Sequence, residues 1–470
     1  MMWLSYFTKS LSLVLVLPLI LTRFPVEDIS LWYLFLAIIS LQQLADLGFT
    51  PTFSRVIAYA TSGATRKELA SFKSVRSDSQ VMSTNWDTIG AICGSMRVVY
   101  IRLTVLSVGL LVTGGTAFLY APIEASSAPP SSWWAWGTIL GGSCFILGGN
   151  QFSAYLQGLN RIALLRRWEA VTNLGAVGTS YVVMLVAPSV FWLVVADQTW
   201  KVLNVVRNYL LCRLIDGGRF KGFRIGRGAV DPVVLDAVWP SAWRTGVGAL
   251  MAQAPLQFSG LFYAQIGRAE MVASYLFGLN LLGYVRTFSL APFYTKLPMM
   301  AKLRAAGEIE RQLHLARRGM RVSLGVFCLG FFALGFLGNV ITEMLGSNAA
   351  FPFPLLWNLM GIGMLIERFG AMHLQLYSTT NHVIAHYANG ITGVVFVVLA
   401  GLLIAPLDVL AFPVAYTASY LTFYAPYTAS KSYRLFSLDF FTMERTSAIP
   451  VVLVTVAYLV VSWFLSVGPN

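Results

Sequence analysis

Charged side chains occur inside the long apolar runs of this 470-residue chain, where charges are costly. On insertion scales a charge at the centre of a hydrocarbon layer costs about 2.5 to 3.5 kcal/mol, so these groups should face a protein interior, paired or hydrated. Guanidinium groups bind phosphate oxygens through two parallel hydrogen bonds. Because the cations outnumber the acids, the pattern favours an interior that binds an anion. Nine basic and three acidic residues occupy such positions: Lys9, Arg55, Arg102, Lys201, Arg207, Arg244, Arg286, Lys296 and Arg368, with Asp46, Asp197 and Glu367.

Arg286 is the most informative of these residues. It lies about fifteen residues into an apolar run that begins near residue 271, and no acid is close to it in sequence. Asp46 lies similarly deep in an earlier run and is followed by Gly48 and Pro51. We therefore expect Arg286 to contact an anionic group. If transport across the layer is coupled to protons or sodium, a buried acid such as Asp46 or Glu367 is expected to take part.

Two pairs of charged residues lie close together in sequence. Asp197 and Lys201 are four residues apart, so they can form an ion pair on one face of a helix, with either a structural or a functional role. Glu367 and Arg368 are adjacent and should point in different directions. We therefore expect that they cannot satisfy each other well and that at least one of them needs another partner.

The remaining cations admit a simpler explanation. They lie within two or three helical turns of the end of an apolar run, where long basic side chains reach back to the polar interface. A role in binding and this snorkelling are equally compatible with their positions. The residues concerned are Arg55, Arg102, Arg207, Arg244 and Lys296.

The elements that must position these residues are membrane helices. Hydrophobic residues make up 57% of the chain and charged residues 11%, about half the charged fraction of a soluble protein. A membrane-spanning helix needs about 20 apolar residues, and thirteen such runs occur. The sequence therefore predicts an all-α polytopic membrane protein. The runs lie near residues 3–22, 30–58, 99–120, 133–157, 169–188, 190–212, 239–266, 271–300, 322–346, 353–378, 384–405, 410–430 and 449–466.

Basic residues predict the orientation of these spans. The loops after spans two, four, six, eight and twelve carry 22 lysines and arginines, whereas the opposite loops carry only Arg23 and Arg268. Basic loops face the cytoplasm, so the N-terminus is predicted to lie there too. Residues 303–321 alternate apolar and basic side chains. This pattern fits either an amphipathic helix on the cytoplasmic surface or an extension of the adjacent span.

A weak internal repeat predicts two lobes of six helices. Leu34, Phe35 and Pro51 precede Leu276, Phe277 and Pro292 by about 242 residues. Six spans per lobe give both lobes the same orientation and place Asp46 and Arg286 on opposite sides of one central cavity. The predicted organisation is an N-terminal lobe at 1–212, a basic cytoplasmic loop at 213–238, a C-terminal lobe at 239–430, and a loop with an extra span at 431–470.

Other chemistries have little support in the sequence. The four cysteines show no paired spacing, so neither a disulfide framework nor a metal site is expected. His382 and His386 are four residues apart, but no third ligand can be assigned to them. No glycine-rich phosphate loop ending in Lys-Ser/Thr occurs, so no ATPase is built in and no cofactor is expected. The net charge of +13 lies in alternate loops, which marks membrane topology rather than nucleic-acid binding.

The stretch Ser30-Leu-Trp-Tyr-Leu-Phe-Leu-Ala-Ile-Ile-Ser-Leu-Gln-Gln-Leu-Ala-Asp46-Leu-Gly48-Phe-Thr-Pro-Thr-Phe-Ser-Arg55 resembles the second helix of polysaccharide flippases of the Wzx type. In those proteins an aromatic, leucine-rich run leads to an Asp-Leu-Gly turn and then to an arginine near the cytoplasmic end. The span count, the basic loops and a deep arginine in span eight are similar as well. The thirteenth span departs from the even number that is usual in that family.

The resemblance implies membership of the multidrug/oligosaccharidyl-lipid/polysaccharide exporter superfamily. It implies a transporter, not an enzyme, in a bacterial inner membrane. Its substrate would be an undecaprenyl-diphosphate-linked oligosaccharide, moved from the cytoplasmic to the periplasmic leaflet by alternating access. A polysaccharide polymerase and chain-length machinery would be partners. By matching position, the resemblance implies cavity roles for Asp46, Arg55, Arg286 and, in the first span, Lys9; Lys201 and Arg368 complete the expected substrate-binding cations, and Asp197 and Glu367 the acids.

Two other functions remain open from the sequence. A drug or small-solute exporter would share this fold and topology, although a cationic drug favours a cavity richer in acids. A membrane polymerase or ligase has similar hydropathy but usually carries a large periplasmic loop with catalytic Arg or His, which this chain lacks. Several polar residues could contact sugars in the flippase case: Gln42, Gln43, Tyr275, Asn280, Tyr284 and Asn358.

Overall fold

The computed structural model describes residues 11–66, 68–70, 83–223, 231–380 and 384–467. These residues form helices joined by short connections, and no β-strand occurs among them. The predicted all-α fold is thus confirmed. Lys9 and His382 lie outside the described residues, as does the side chain of Gln43.

The chain divides into two compact units, and the first comprises Met1–Arg23 and Phe35–Leu250. Its helices follow the predicted spans closely. They are α1 (Leu17–Arg23), the second half of α2 (Val26–Leu44), α3 (Phe49–Thr61), α4 (Trp86–Leu110), α5 (Thr116–Glu124), α6 (Pro129–Gly158), α7 (Ile162–Val186), α8 (Val190–Leu214) and the first part of α9 (Pro232–Tyr263). Short 3₁₀ segments occupy Glu68–Ala70 and Ile215–Gly222, and a π-helical turn at Leu111–Gly115 joins α4 to α5.

The second unit comprises Phe24–Leu34 and Met251–Asn470. Beyond the end of α9 it contains α10 (Ala269–Tyr294), α11 (Leu297–Ala305), α12 (Ile309–Leu345), α13 (Pro354–Ser378), α14 (Ala385–Leu407), α15 (Ala411–Ser419), α16 (Ala425–Phe436), α17 (Phe440–Glu444) and α18 (Ile449–Val467). A 3₁₀ turn at Asp408–Leu410 precedes α15, and a π-helical turn at Tyr420–Tyr424 joins α15 to α16.

Helices of membrane-spanning length occur in both units. Among the described residues, four helical stretches are long and apolar enough to cross a membrane: Trp86–Glu124, Ile162–Val186, Ile309–Leu345 and Ala385–Phe436. The predicted lobes at 1–212 and 239–430 stay predictions. Within the predicted loop 213–238, residues 232–238 are helical and form the start of α9.

Helix α12 decides between the two interpretations of residues 303–321. Residues 309–321 continue without a break into the apolar part of α12, while Leu303 belongs to the separate helix α11. Arg311, Arg318 and Arg321 are exposed, and Leu313 and Met320 between them are buried. The basic, amphipathic segment is therefore mainly an extension of the ninth predicted span.

The second predicted span is not one helix. Helix α2 ends at Leu44 and α3 begins at Phe49, because Leu47 (φ 46°) and Gly48 (φ 72°) adopt left-handed backbone conformations that stop a right-handed helix. Asp46 then caps α3: its carboxylate accepts hydrogen bonds from the Thr50 N–H at 2.9 Å and the Thr50 hydroxyl at 2.6 Å. The Asp-Leu-Gly sequence thus forms the turn that separates α2 from α3.

The turn packs directly on α9 at Gly246. A Cβ atom added to Gly246 would lie 2.5 Å from the backbone C and O atoms of Leu47, which cannot rotate away as a side chain can. Only glycine permits this close approach of a helix to the turn.

We predict that Gly246→Ala destabilises the protein by about 2 kcal/mol, because the added methyl group overpacks a backbone contact. Gly178→Ala on α7 is the matched control. A Cβ there meets no atom within 4 Å, so the change should be neutral or slightly stabilising. Thermal unfolding of the purified protein in detergent measures both. Equal transition temperatures for the two variants would contradict the packing described.

Candidate functional site

Three charged residues of the second unit form one buried cluster. Arg286 on α10 donates from Nη2 to Glu367 Oε1 at 3.2 Å, and Arg368 donates from Nε to Glu367 Oε2 at 2.9 Å. A further bond joins Arg368 Nη2 to Glu367 Oε1 at 3.1 Å. The side chains of Arg286, Glu367 and Arg368 are 16%, 6% and 3% exposed. One carboxylate therefore holds two guanidinium groups in a largely dry interior.

Two glycines on α13 make room for this cluster. Gly363, Glu367 and Gly370 lie within about 60° of each other around the helix, given 3.6 residues per turn. A Cβ at Gly363 would lie 2.8 Å from Tyr416, and one at Gly370 would lie 2.6 Å from Tyr424. The α15–α16 segment consequently approaches α13 closely on both sides of Glu367.

A row of tyrosines on that segment borders the cluster. Tyr416, Tyr420 and Tyr424 are buried, with ring centroids 4.3 Å and 4.9 Å apart in succession. The π-helical turn contains the last two. Successive steps of four residues drift by about 40° around an α-helix, and the wider π turn offsets this drift. The bulge thereby keeps the three rings in one row.

The tyrosines complement the cations electrostatically. The buried rings of Tyr416 and Tyr424 lie on the segment that packs closely against α13 on both sides of Glu367. Arg368 also lies over the ring of Tyr294, with 5.9 Å between Cζ and the ring centroid. Phenolic oxygens and ring faces stabilise a cation in a low-dielectric interior without neutralising it.

The charge of the cluster is not balanced. Two guanidinium groups face one carboxylate, which leaves one positive charge. Arg368 Nη1 is buried and has no hydrogen-bond partner in the described part of the chain, and Arg286 Nη1 has only a long contact of 3.5 Å to Gln253 Oε1. The Nη1 groups of both arginines are thus left without a full set of hydrogen bonds.

The prediction that Glu367 and Arg368 cannot satisfy each other was wrong. Although their Cα–Cβ bonds diverge, the arginine side chain is long enough to fold back and donate two hydrogen bonds to the neighbouring carboxylate. Glu367 also has a second partner, Arg286, which is 81 residues away in sequence. Sequence distance concealed this contact.

Asp46 has a different environment in the first unit. Besides Thr50, its carboxylate accepts a hydrogen bond from the Tyr100 hydroxyl at 2.8 Å, and the Thr50 and Tyr100 oxygens are 2.7 Å apart. These hydrogen-bond partners are neutral. Asp46 and Arg286 belong to different units, and the predicted common cavity stays a prediction.

The other predicted site residues that the structure describes belong to the first unit. Lys201 and Asp197 form the expected same-face pair, with 2.7 Å between Nζ and Oδ2. Arg55 is exposed and donates to the Ser241 hydroxyl at 2.5 Å. Arg102 and Arg244 are also exposed, as snorkelling side chains are. Of the predicted cations, therefore, the structure brings together Arg286 and Arg368.

The sequence reasoning missed the tyrosine row and Gln253. The spacing of Tyr416, Tyr420 and Tyr424 by four residues was the available signal, since it places the rings on one side of a helix. Among the proposed sugar contacts, Tyr275 is buried and hydrogen-bonded to Ser259 at 2.7 Å, so it serves the core.

The fold is similar to that of solved membrane transporters. The lipid II flippase MurJ in an inward closed conformation matches with a TM-score of 0.61 and 11% identity, covering 98% of this chain and 96% of that chain. An inward-facing multidrug resistance MATE family transporter of the MOP superfamily gives 0.60 and 11%, covering 93% and 99%. The eukaryotic MATE transporter AtDTX14 gives 0.50 and 13%, covering 95% and 98%. No family model and no curated protein sequence matches the chain.

These likenesses concern the fold. At such low identity they show that this chain folds like these helical transporters along nearly its whole length. Together with the membrane-length apolar helices, they make it a multi-pass membrane protein. The solved neighbours are membrane transporters and flippases, not enzymes.

The charge imbalance predicts an order of stability among variants. Glu367→Gln leaves two buried cations without their carboxylate, and loss of one partner of a buried ion pair costs about 3 to 5 kcal/mol. Arg286→Gln leaves the neutral pair Glu367–Arg368 and should cost clearly less. Thermal unfolding in detergent measures both variants.

The control for this comparison is Asp197→Asn, which breaks a pair that is 27% exposed on each side and should cost under about 1 kcal/mol. Arg286 is here taken as the cation that exceeds the single carboxylate, with Glu367 and Arg368 as the neutral pair. If Arg286→Gln unfolds at a lower temperature than Glu367→Gln, that assignment is wrong.

Proposed function

We propose that this chain is a flippase that moves an undecaprenyl-diphosphate-linked oligosaccharide from the cytoplasmic to the periplasmic leaflet of a bacterial inner membrane. The observation that carries the proposal is the buried cluster of Arg286, Glu367 and Arg368, in which cations exceed acids and the Nη1 groups of both arginines lack a full set of hydrogen bonds. Such a cluster attracts an anionic head group.

The physics of the substrate supports this role. A diphosphate cannot cross hydrocarbon unaided, whereas a polyprenyl tail dissolves in it, so a protein needs to shield only the head group. Alternating access of two lobes would do so. Arginine suits the task because its planar donors match phosphate oxygens in pairs. Glu367 holds both guanidinium groups in place before the anion arrives, which lowers the entropy lost on binding.

The sequence resemblance and the fold point in the same direction. The stretch Ser30–Arg55 resembles the second helix of Wzx-type flippases, and a solved neighbour is described as a lipid II flippase. The cytoplasmic N-terminus, and a polymerase with chain-length machinery as partners, belong to the proposal on the same grounds.

A drug exporter is the second candidate. It is favoured by the likeness to a multidrug resistance MATE family transporter, whose TM-score nearly equals that of the lipid II flippase. The two functions require opposite site charges, since a cationic drug is repelled by a surplus of arginine. The charge of the Arg286–Glu367–Arg368 cluster therefore favours the flippase.

Coupling to an ion would use one of the two predicted acids, Asp46 or Glu367. Two guanidinium groups hold Glu367 in its ionised form, so proton uptake there would have to break both contacts. The hydrogen-bond partners of Asp46 are neutral, which makes Asp46 the better of these two candidates.

We predict that Arg286→Gln lowers the rate of leaflet translocation at least tenfold while the protein remains folded. The protein is reconstituted in liposomes that contain undecaprenyl-diphosphate oligosaccharide. Translocation is measured by how fast the sugars become accessible to a reagent outside the liposomes. Arg318→Gln, an exposed arginine of α12 in the same unit, is the matched control and should retain the wild-type rate. An unchanged rate for Arg286→Gln would sink the assignment of the diphosphate to this cluster.

The same liposomes distinguish the two functions. The wild-type protein is expected to move the diphosphate lipid and to leave a cationic dye such as ethidium where it is. If ethidium moves and the lipid does not, the flippase proposal is wrong and a drug exporter is the better description of the protein.

A further inference from the structure

A second buried charged network lies near the C-terminal end of α13. Glu444, the last residue of α17, accepts hydrogen bonds at both carboxylate oxygens: from the Tyr433 hydroxyl at 3.0 Å and from the Ser447 hydroxyl at 2.6 Å. His373 Nε2 lies 3.1 Å from Glu444 Oε1. The His373 and Glu444 side chains are both fully buried, with 0% exposure. An ionisable pair is thus sealed from solvent where the α16–α18 connection meets α13.

The packing around the imidazole leaves one ring nitrogen unused. Phe369 and Tyr433 pack against the His373 ring edge to face, with centroids 4.6 Å and 5.2 Å away. Nδ1 of His373 is buried and has no hydrogen-bond partner in the described part of the chain. One nitrogen is therefore fixed by the carboxylate, and the other is available to a proton donor or acceptor.

Among the described residues, His373 is the one group in an ion pair with Glu444. Of the titratable groups, His373 from α13 and Tyr433 from α16 face Glu444, while α18 carries no charged residue. Arg304 of α11 instead lies over the ring of Phe436.

Of the other basic residues on the neighbouring elements, Arg317 of α12 has a buried Nε without a hydrogen-bond partner in the described part of the chain. Lys431 lies 5.7 Å from the ring centroid of Tyr427, and Glu367 and Arg368 of α13 pair with each other. Within the described ranges, no lysine or arginine forms an ion pair with Glu444. Several basic residues nearby are exposed: Arg311, Arg318, Arg434 and Arg445.

The charge of the pair therefore depends on one proton. Burial raises the pKa of the Glu444 carboxyl, but the hydrogen bonds and charge of His373 and the bonds from Ser447 and Tyr433 outweigh it and hold the pKa below its ordinary value. While His373 carries its proton, Glu444 is therefore the anion of the pair. With His373 protonated the pair is neutral; with His373 neutral, an uncompensated carboxylate is buried, which is strongly unfavourable.

We propose that His373 and Glu444 form a proton-binding site, and that its loading decides whether the connection 437–448 stays docked on α13. Imidazole is the side chain that ordinarily changes charge between pH 5 and 8. Loss of the proton leaves the buried anion without its cation, and hydration of Glu444 by undocking of the connection relieves this. The connection begins at Ser437, in a left-handed conformation, and leads directly into α18.

The site is placed to influence the arginine cluster. His373 lies on the same helix as Glu367 and Arg368, one and a half turns further on, so a shift at this end of α13 is transmitted along a rigid element. The idea that this site couples proton binding to transport rests on the proposed flippase function. Proton binding at His373 and docking of the connection 437–448 do not depend on that function.

Nuclear magnetic resonance of the full chain in liposomes, labelled at histidine nitrogens, tests proton binding. The chain has four histidines, and His373→Gln assigns the relevant signal. We expect the His373 signal to report loss of the ring proton as the pH is raised. Glu444→Gln removes the carboxylate that favours imidazolium and should lower the titration midpoint by one pH unit or more, a tenfold loss of proton affinity.

Tyr433→Phe supplies an independent test that keeps the charge. It removes a donor from Glu444, concentrates negative charge on the carboxylate, and should raise the His373 midpoint. His314→Gln, an exposed histidine of α12, is the control and should change nothing. A His373 signal that shows no loss of the ring proton as the pH is raised, or that keeps its midpoint in both network variants, overturns the proton site.

Cysteine labelling tests docking. In a background without the native cysteines, Met443→Cys reports a buried position of α17 and Phe441→Cys an exposed one, with 1% and 71% exposure. The ratio of their labelling rates cancels the pH dependence of the thiol. We expect this ratio to rise at least fivefold from pH 6 to pH 8 and to be independent of pH in His373→Gln. A constant ratio in the otherwise wild-type chain contradicts the docking switch.

Neither readout involves transport, so the two proposals can fail separately. If His373 titrates and the labelling ratio rises but no diphosphate lipid moves, the flippase function fails and the proton site stands. If lipid moves and His373 does not titrate, the flippase stands and the proton site fails.

Discussion

The cost of burying charge in a low-dielectric interior is the constraint on which this structure depends. Glu367 meets it by holding Arg286 and Arg368 together, but one carboxylate neutralises only one of two guanidinium groups. The Tyr294 ring, over which Arg368 lies, helps to stabilise the surplus charge. The same accounting applies at Glu444, where a single imidazole decides whether a buried anion is compensated. In both places the protein keeps a buried charge that a bound species would neutralise. That species is an anion at the arginine cluster and a proton at the His373–Glu444 pair.

Close helix packing makes these clusters possible, and small residues make the packing possible. Gly363 and Gly370 admit the tyrosine-bearing segment on either side of Glu367, as Gly246 admits the turn at Leu47 in the first unit. The π-helical turn at Tyr420–Tyr424 adds the local twist that keeps the rings in a row. Local backbone features therefore determine what the charged side chains can reach.

Apolar run lengths were sufficient to predict the all-α membrane fold, because each span must satisfy its own backbone hydrogen bonds. The depth of Arg286 and Glu367 in such runs was also enough to single them out. Their contact was beyond reach, since 81 residues separate them and no local pattern encodes the packing of α10 on α13. The Glu444 network escaped for the same reason, because 71 residues separate His373 from Glu444. The break at Leu47, by contrast, has a local signal in Asp46, Leu47 and Gly48.

The affinity of the purified chain for undecaprenyl diphosphate tests the central claim most directly, because it reads the charge of the cluster without requiring transport. We predict that Arg286→Gln weakens binding at least tenfold, and that Arg318→Gln, which changes an exposed arginine of the same unit, binds as the wild type does. Binding of the wild-type chain should weaken as salt rises. Equal affinity in all three proteins, or tighter binding of a cationic amphiphile than of the diphosphate lipid, would contradict it.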